Sequence, residues 1–155
     1  MIAIATIGLC YLTQLVASWF GIELPDQANI EIVKRYAGLN KTFLILCAQI
    51  IIVMPIAEEF IFRYLLFRLP QKLFQPRPSL LALPYSILAL LSSLLFSAAH
   101  YLFQPFPDAA FIALFYFGLT QCWLYRKTAH IWCTMLNHAL FNLTNLVLLF
   151  ILPTT

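Results

Sequence analysis

Apolar residues in this chain come in long runs separated by short polar stretches, and crossing a hydrocarbon core of ~30 Å takes about 20 helical residues. The first run, residues 2–20, lacks the basic leader of a secretory signal and is expected to be retained as a membrane helix. Residues 21–40 carry Glu23, Asp26, Glu31, Lys34 and Arg35 and belong in water or at the interface. Their Ile30, Ile32, Val33 and Tyr36 permit a short amphipathic helix there. A second apolar element runs over 41–69, interrupted only by Glu58, Glu59 and Arg63. Pro55 predicts a kink in it, with a freed carbonyl that a neighbouring helix must satisfy. Residues 70–79, with Lys72, Arg77, Pro76 and Pro78, are expected as a loop. Further helices are expected over 80–103, 109–125 and 131–152, joined by a proline-containing turn at 104–108 and by Arg126, Lys127 and Thr128.

Composition agrees with this pattern. Of 155 residues, 63% are hydrophobic and 10% charged, with a mean hydropathy of +0.88. So few charges do not coat a soluble globule. The expected fold is an all-α polytopic membrane helix bundle of about five transmembrane helices, one domain over residues 1–155. The net charge of +3 is too small to suggest nucleic acid as a partner. Arg68, Lys72, Arg77, Arg126 and Lys127 fall on one side of such a bundle, against Lys34, Arg35 and Lys41 on the other, diluted by acids. Basic residues near span ends stay inside, so the first side is expected to be cytoplasmic, as is the N-terminus. Cys10, Cys47, Cys122 and Cys133 lie in or beside apolar runs with no CxxC spacing. Buried thiols are expected, not a disulfide framework or a zinc ribbon.

The chemistry lies in the polar residues that interrupt these runs. An ionisable group at mid-membrane costs about 2.5 to 3.5 kcal/mol on insertion scales, and such groups face a bundle interior or water cavity and find partners there. Glu59 and Arg63 are four apart with the acid N-terminal, the favourable order for an ion pair on one helix face. Glu58 is rotated about 100° away and needs a partner from another helix. His138 and Asn142 share a face at the same spacing, and Phe96 and His100 repeat it, so the Phe96 ring is placed to floor an imidazole. Taken singly, each has a plain reading: a structural ion pair for Glu59 and Arg63, a hydrogen-bonding core residue for His100, helix–helix glue for Asn142. The Phe and Leu stripes read as packing, and His130 as an interfacial side chain. Depth sets a difficulty. At 1.5 Å per residue, Glu58 lies ~18 Å before Pro70 whereas His100 lies ~24 Å beyond Pro84.

Three motifs occur in order: Glu58-Glu59-Phe60-Ile61-Phe62-Arg63 as EExxxR, Phe96-Ser97-Ala98-Ala99-His100 as FxxxH, and His138-Ala139-Leu140-Phe141-Asn142 as HxxxN. In this set the chain resembles the CAAX-protease and bacteriocin-processing family of intramembrane proteases, over a core of residues 46–146. The resemblance implies a glutamic-type peptidase in which Glu58, with His100, activates a water. It assigns His138 and Asn142 to stabilising the oxyanion, and leaves Glu59 and Arg63 to hold the site in shape. A carboxylate shielded from water is a competent general base, and donors at an oxyanion contribute a few kcal/mol each. Two features depart from the family pattern: Tyr64 follows the motif arginine where a small residue is usual, and Arg126-Lys127-Thr128-Ala129 contains no glycine.

The implied partners are the lipid bilayer and a membrane-anchored protein or peptide substrate. Leader peptides, lipoproteins and sorting tails, the last as in myxosortase-like enzymes, are the substrate types, and a bacterial inner (plasma) membrane is the expected location. No cofactor is assigned. A metal-dependent variant using Glu58, Glu59, His100 and His138 is the chemical rival, disfavoured because no HExxH is present and Asn142 is a poor zinc ligand. A non-catalytic immunity or scaffolding protein is the functional one. A solute carrier is less suited, since no inverted repeat or paired broken helix is visible.

Overall fold

A computed structural model describes residues 33–37, 41–74, 85–103 and 108–151, together with Trp19. The helix expected over 2–20 and most of the interfacial segment fall outside the described residues; of the latter, residues 33–35 form one helical turn with Val33 buried. The described residues contain no strand and four long helices: α1 over residues 41–74, α2 at Tyr85–Phe103, α3 at Asp108–Thr128 and α4 at Ile131–Ile151. Three stretches, Lys41–Leu73, Tyr85–Leu102 and Ile131–Ile151, are long and apolar enough to cross a membrane. The 21-residue α3 has the length, but Gln121, Arg126 and Lys127 dilute its apolar character. Large apolar side chains such as Leu44, Ile52, Leu90, Leu94, Ile112 and Leu136 point outward along all four helices. Surfaces of that kind require lipid as their solvent. The chain is an integral membrane protein with an all-α bundle.

The course of α1 differs from the sequence expectation. It does not stop at Leu69 but runs through Pro70 to Phe74. Its α-helical segments Lys41–Ala48, Met54–Glu59 and Leu69–Phe74 alternate with π-helical stretches at Gln49–Val53 and Phe60–Arg68. Each stretch is followed, two residues on, by a proline, Pro55 or Pro70. A proline ring clashes with the carbonyl one turn back and lacks an N–H to donate to it. A widened preceding turn relieves that clash, so neither proline ends the helix. The longer rod also removes the depth difficulty. Glu58 and His100 lie at the same level on α1 and α2, with His100 Nε2 3.7 Å from Glu58 Oε2.

Widened turns also set which residues α1 buries. Glu59, Arg63, Phe67 and Gln71 are four apart and all buried. On a regular α-helix the first and last of these would be rotated ~120° from each other. The wide turns between Phe60 and Arg68 hold them on one stripe facing the bundle.

Two layers of packing cross the interior. Phe67, Leu88, Ala89, Cys122 and Tyr125 form one, towards the ends of α1 and α3. Phe96, Phe117 and Phe141 form the other, with Phe62, Leu114 and Leu148 against it. Between α2 and α3 the backbones approach closely at Ser93 and Gly118. A Cβ on Gly118 would lie 2.8 Å from Ser93 Cβ and 2.9 Å from its Cα. Small residues at such crossings are how membrane helices gain packing where no hydrophobic force drives them together. The Tyr85 hydroxyl donates to the Cys122 carbonyl at 2.8 Å and its ring carries the Arg126 guanidinium at 4.2 Å, pinning the start of α2 to the end of α3.

The connection from α3 to α4 is shorter than expected. Arg126, Lys127 and Thr128 form the last turn of α3, leaving Ala129 and His130 as the link. Ala129 takes a left-handed conformation (φ 57°), and its N–H donates to the Tyr125 carbonyl at 2.8 Å. An alanine therefore occupies a helix-ending position that glycine usually fills. His130 is exposed, as expected. The thiols are less uniform than expected: Cys122 is buried, Cys47 and Cys133 are half-buried, and Cys10 lies outside the described residues.

Both local strains give expected outcomes. Gly118→Ala should destabilise the bundle by ~1–3 kcal/mol, because backbone atoms must move to admit the methyl group; a thermal melt in detergent as high as wild type would contradict the close crossing. Ala129→Gly should raise the melting temperature, by relief of a left-handed penalty of about 1–2 kcal/mol less the ~0.5–1 kcal/mol entropic cost of glycine.

A buried carboxylate and histidine cluster

The second acid of the EExxxR segment, Glu59, has no exposed surface, and neither has Arg63. Arg63 Nε lies 3.3 Å from Glu59 Oε2, so the expected pair forms on one face of α1. The guanidinium also lies over the Phe96 ring, 4.5 Å from its centroid. A cation with no water around it is held here by a carboxylate and by an aromatic face. The other oxygen of Glu59 accepts from His138 Nδ1 at 2.8 Å. A carboxylate can only accept, so the ring proton of His138 is on Nδ1 and its Nε2 is turned away from Glu59.

That Nε2 faces Glu58. The distance from His138 Nε2 to Glu58 Oε2 is 3.6 Å, and His100 Nε2 is 3.7 Å from the same oxygen. His100 reaches it from α2 by folding back along its own helix, the direction in which helical side chains lean. Its Nδ1 donates to the Phe96 carbonyl at 2.9 Å, and its ring packs on the Phe96 ring at 4.5 Å. Phe96 floors the imidazole as the sequence spacing suggests, and His138 is wedged edge-on against Phe117 at 4.9 Å. Both imidazoles thus spend Nδ1 on a fixed acceptor and present Nε2 to one carboxylate oxygen. Glu58 Oε2 is buried and has no hydrogen-bond partner. Among the described residues, no group of three or more His, Cys, Asp or Glu side chains has the arrangement that holds a metal ion.

Of the six site residues expected from the sequence, five converge: Glu58, Glu59, Arg63, His100 and His138. Asn142 commits one of its two amide hydrogens to α1. Its Nδ2 donates to the Ile50 carbonyl on α1 at 2.8 Å. In the wide turn that ends at Met54, the N–H of Met54 bonds to the carbonyl of Gln49, five residues back. The next bond in that register would join residue 55 to Ile50, but Pro55 has no N–H. Asn142 supplies the missing donor from α4. The carbonyl freed by Pro55 was expected to need a neighbouring helix, and this is the helix that provides for it.

Sequence reasoning missed three residues behind the cluster. Gln121 on α3, fully buried, donates from Nε2 to Glu59 Oε1 at 3.3 Å and to the Thr134 carbonyl at 3.0 Å, and accepts from Asn137 Nδ2 at 3.0 Å. A carboxamide inside an apolar run was the available signal, by the same reasoning that singled out the histidines. Tyr64, the bulky residue after the motif arginine, stacks on Phe60 at 5.4 Å and leaves the buried stripe undisturbed.

If Asn142 stands in for the donor that Pro55 lacks, the two positions are coupled. Asn142→Leu should cost about 0.6 to 1.7 kcal/mol in detergent stability, the range measured for hydrogen bonds between membrane helices. Adding Pro55→Ala, which restores a backbone N–H, should recover part of that loss. Strict additivity of the two changes would separate Asn142 from the proline.

Compared with known families, residues 40–144 match the family described as "Type II CAAX prenyl endopeptidase Rce1-like". No curated protein and no solved structure matches the chain.

Proposed function

The chain belongs to the Rce1-like family of type II CAAX prenyl endopeptidases, and from that premise we propose that it is a glutamic-type intramembrane endopeptidase in which Glu58 activates a water. The reading rests on one observation: a buried carboxylate oxygen without a hydrogen-bond partner, with the Nε2 atoms of His100 and His138 at 3.7 and 3.6 Å. These separations are too long for direct hydrogen bonds. A water donating one hydrogen to Glu58 Oε2 and the other to His100 Nε2 would bridge that pair, with His138 Nε2 beside it.

Glu58 takes a proton from that water while His100, whose Nε2 is a free acceptor when Nδ1 is bonded to the Phe96 carbonyl, orients it. The resulting hydroxide attacks the scissile carbonyl, forming a C–O bond and moving the π electrons onto oxygen. Glu58 then delivers its proton to the departing amide nitrogen as the C–N bond breaks. His138 and Asn142 stabilise the oxyanion. His138, whose Nε2 faces Glu58, takes the water-derived proton from Glu58 as the oxyanion forms. It donates that proton in a hydrogen bond to the oxyanion while the Glu59 carboxylate on Nδ1 balances the charge, and returns it to Glu58 for the leaving nitrogen. Asn142 has a second amide hydrogen besides the one bonded to Ile50. Arg63 neutralises Glu59 whenever His138 is uncharged. The substrate is a membrane-anchored protein or peptide cut near its lipid-bound end, and the site of action is a bacterial plasma membrane with the basic loops cytoplasmic.

The test is cleavage, in detergent, of an internally quenched peptide with a farnesylated cysteine followed by three residues, beside the same peptide without the farnesyl group. Glu58→Gln should lower turnover at least ~10²-fold while leaving the melting temperature unchanged; wild-type turnover by that variant would refute the assignment. A strong chelator should leave the rate unaltered, and a loss restored by zinc would replace the water mechanism with a metal-dependent one.

A further inference from the structure

We propose that Gln121, outside the three motifs, is a positioning residue for this reaction, holding Glu59 so that His138 presents Nε2 to Glu58. The inference deepens the proposed reading of the Glu58 site and rests on it. Gln121 sits on α3, the helix that supplies no motif residue, and it is fully buried. Its carboxamide cannot turn over. Oε1 accepts from Asn137 Nδ2 at 3.0 Å, and Nε2 donates to the Thr134 carbonyl at 3.0 Å. A reversed amide would set its NH2 against that of Asn137 and its oxygen against two acceptors. The orientation is therefore fixed from α4, one turn before His138.

Held this way, Nε2 also donates to Glu59 Oε1 at 3.3 Å, the oxygen that accepts from His138 Nδ1 at 2.8 Å. Arg63 meets the other oxygen, Oε2, at 3.3 Å. A carboxylate rotates about its terminal bond with little resistance. Contacts on both oxygens stop that rotation, and the one from Gln121 lies on the side of His138. The chain Asn137 to Gln121 to Glu59, with His138 donating back to Glu59, closes a loop between α1, α3 and α4. Its effect is to keep the His138 proton on Nδ1 and Nε2 towards Glu58. Without the Gln121 donor, Glu59 keeps its charge but loses a fixed direction, and the imidazole loses its template.

The experiment uses the full chain in detergent with the farnesylated quenched peptide, and 15N NMR of labelled histidine to read which ring nitrogen of His138 carries the proton. Gln121→Met should lower kcat by ~10- to 100-fold with KM unchanged, and should move part of the His138 proton from Nδ1 to Nε2. Gln121→Leu, which likewise removes the donor without adding a charge, should do the same, and it serves where the methionine variant does not fold. Wild-type kcat with the proton still on Nδ1 overturns the inference. So does a lowered melting temperature accompanied by an unmoved proton, which marks a packing role only. The Glu58→Gln arm separates the two readings. If it retains activity, or the wild type cleaves neither peptide, the hydrolytic reading fails, and the ring-proton measurement alone decides on Gln121.

Discussion

A carboxylate without exposed surface, set in a helix otherwise made of aliphatic and aromatic residues, survives only where its charge is met on every side. Glu59 is met by Arg63 on one oxygen and by His138 and Gln121 on the other. Those three partners come from α1, α4 and α3, so the burial of a single charge dictates how three helices face each other. Removing Arg63 leaves an uncompensated charge in a medium with no water to replace it, a cost of several kcal/mol for buried ion pairs broken from one side. The arrangement around Glu58 follows from it. His138 is aimed by Glu59, and only then does its far nitrogen reach the neighbouring acid.

The wide turns of α1 serve that constraint. Regular winding would carry Gln71 around the helix from Glu59; π-helical stretches keep the polar and aromatic residues at four-residue spacing on one buried stripe. Such stretches recur at functional sites because they shift side chains that regular winding would point elsewhere. Here they also admit two prolines into a membrane helix. The loss of one backbone donor is answered by an asparagine from across the bundle.

Much of this was legible in the sequence, because charge inside an apolar run has few physical explanations. The helical class, the pairing of Glu59 with Arg63, the stacking of His100 on Phe96 and the need for a donor near Pro55 all follow from spacing and burial cost. The remainder depended on winding and on contacts between helices. Ending α1 at Pro70 assumed 3.6 residues per turn, the condition under which proline breaks a helix. The same assumption produced the mismatch in depth between Glu58 and His100. The bond from Asn142 to Ile50 was not legible, because an i, i+4 spacing shows that two residues share a helix face and says nothing of which neighbour that face meets. Gln121 carries no formal charge, so its burial raised no alarm, although it holds the most hydrogen bonds of any side chain behind the cluster.

The two-residue link at Ala129 and His130 has a mechanical consequence. With so short a tether, and with Gln121 bound to both Thr134 and Asn137, α3 and α4 are held together as a hairpin. Accessibility runs the other way: the side chain of His100 is 28% exposed and that of Glu58 14%, against 4% for His138. On the proposed reading, an incoming strand meets the α2 flank first. In that reading the imidazole of His100 is the doorway, and that of His138, bonded to Glu59, the rear wall.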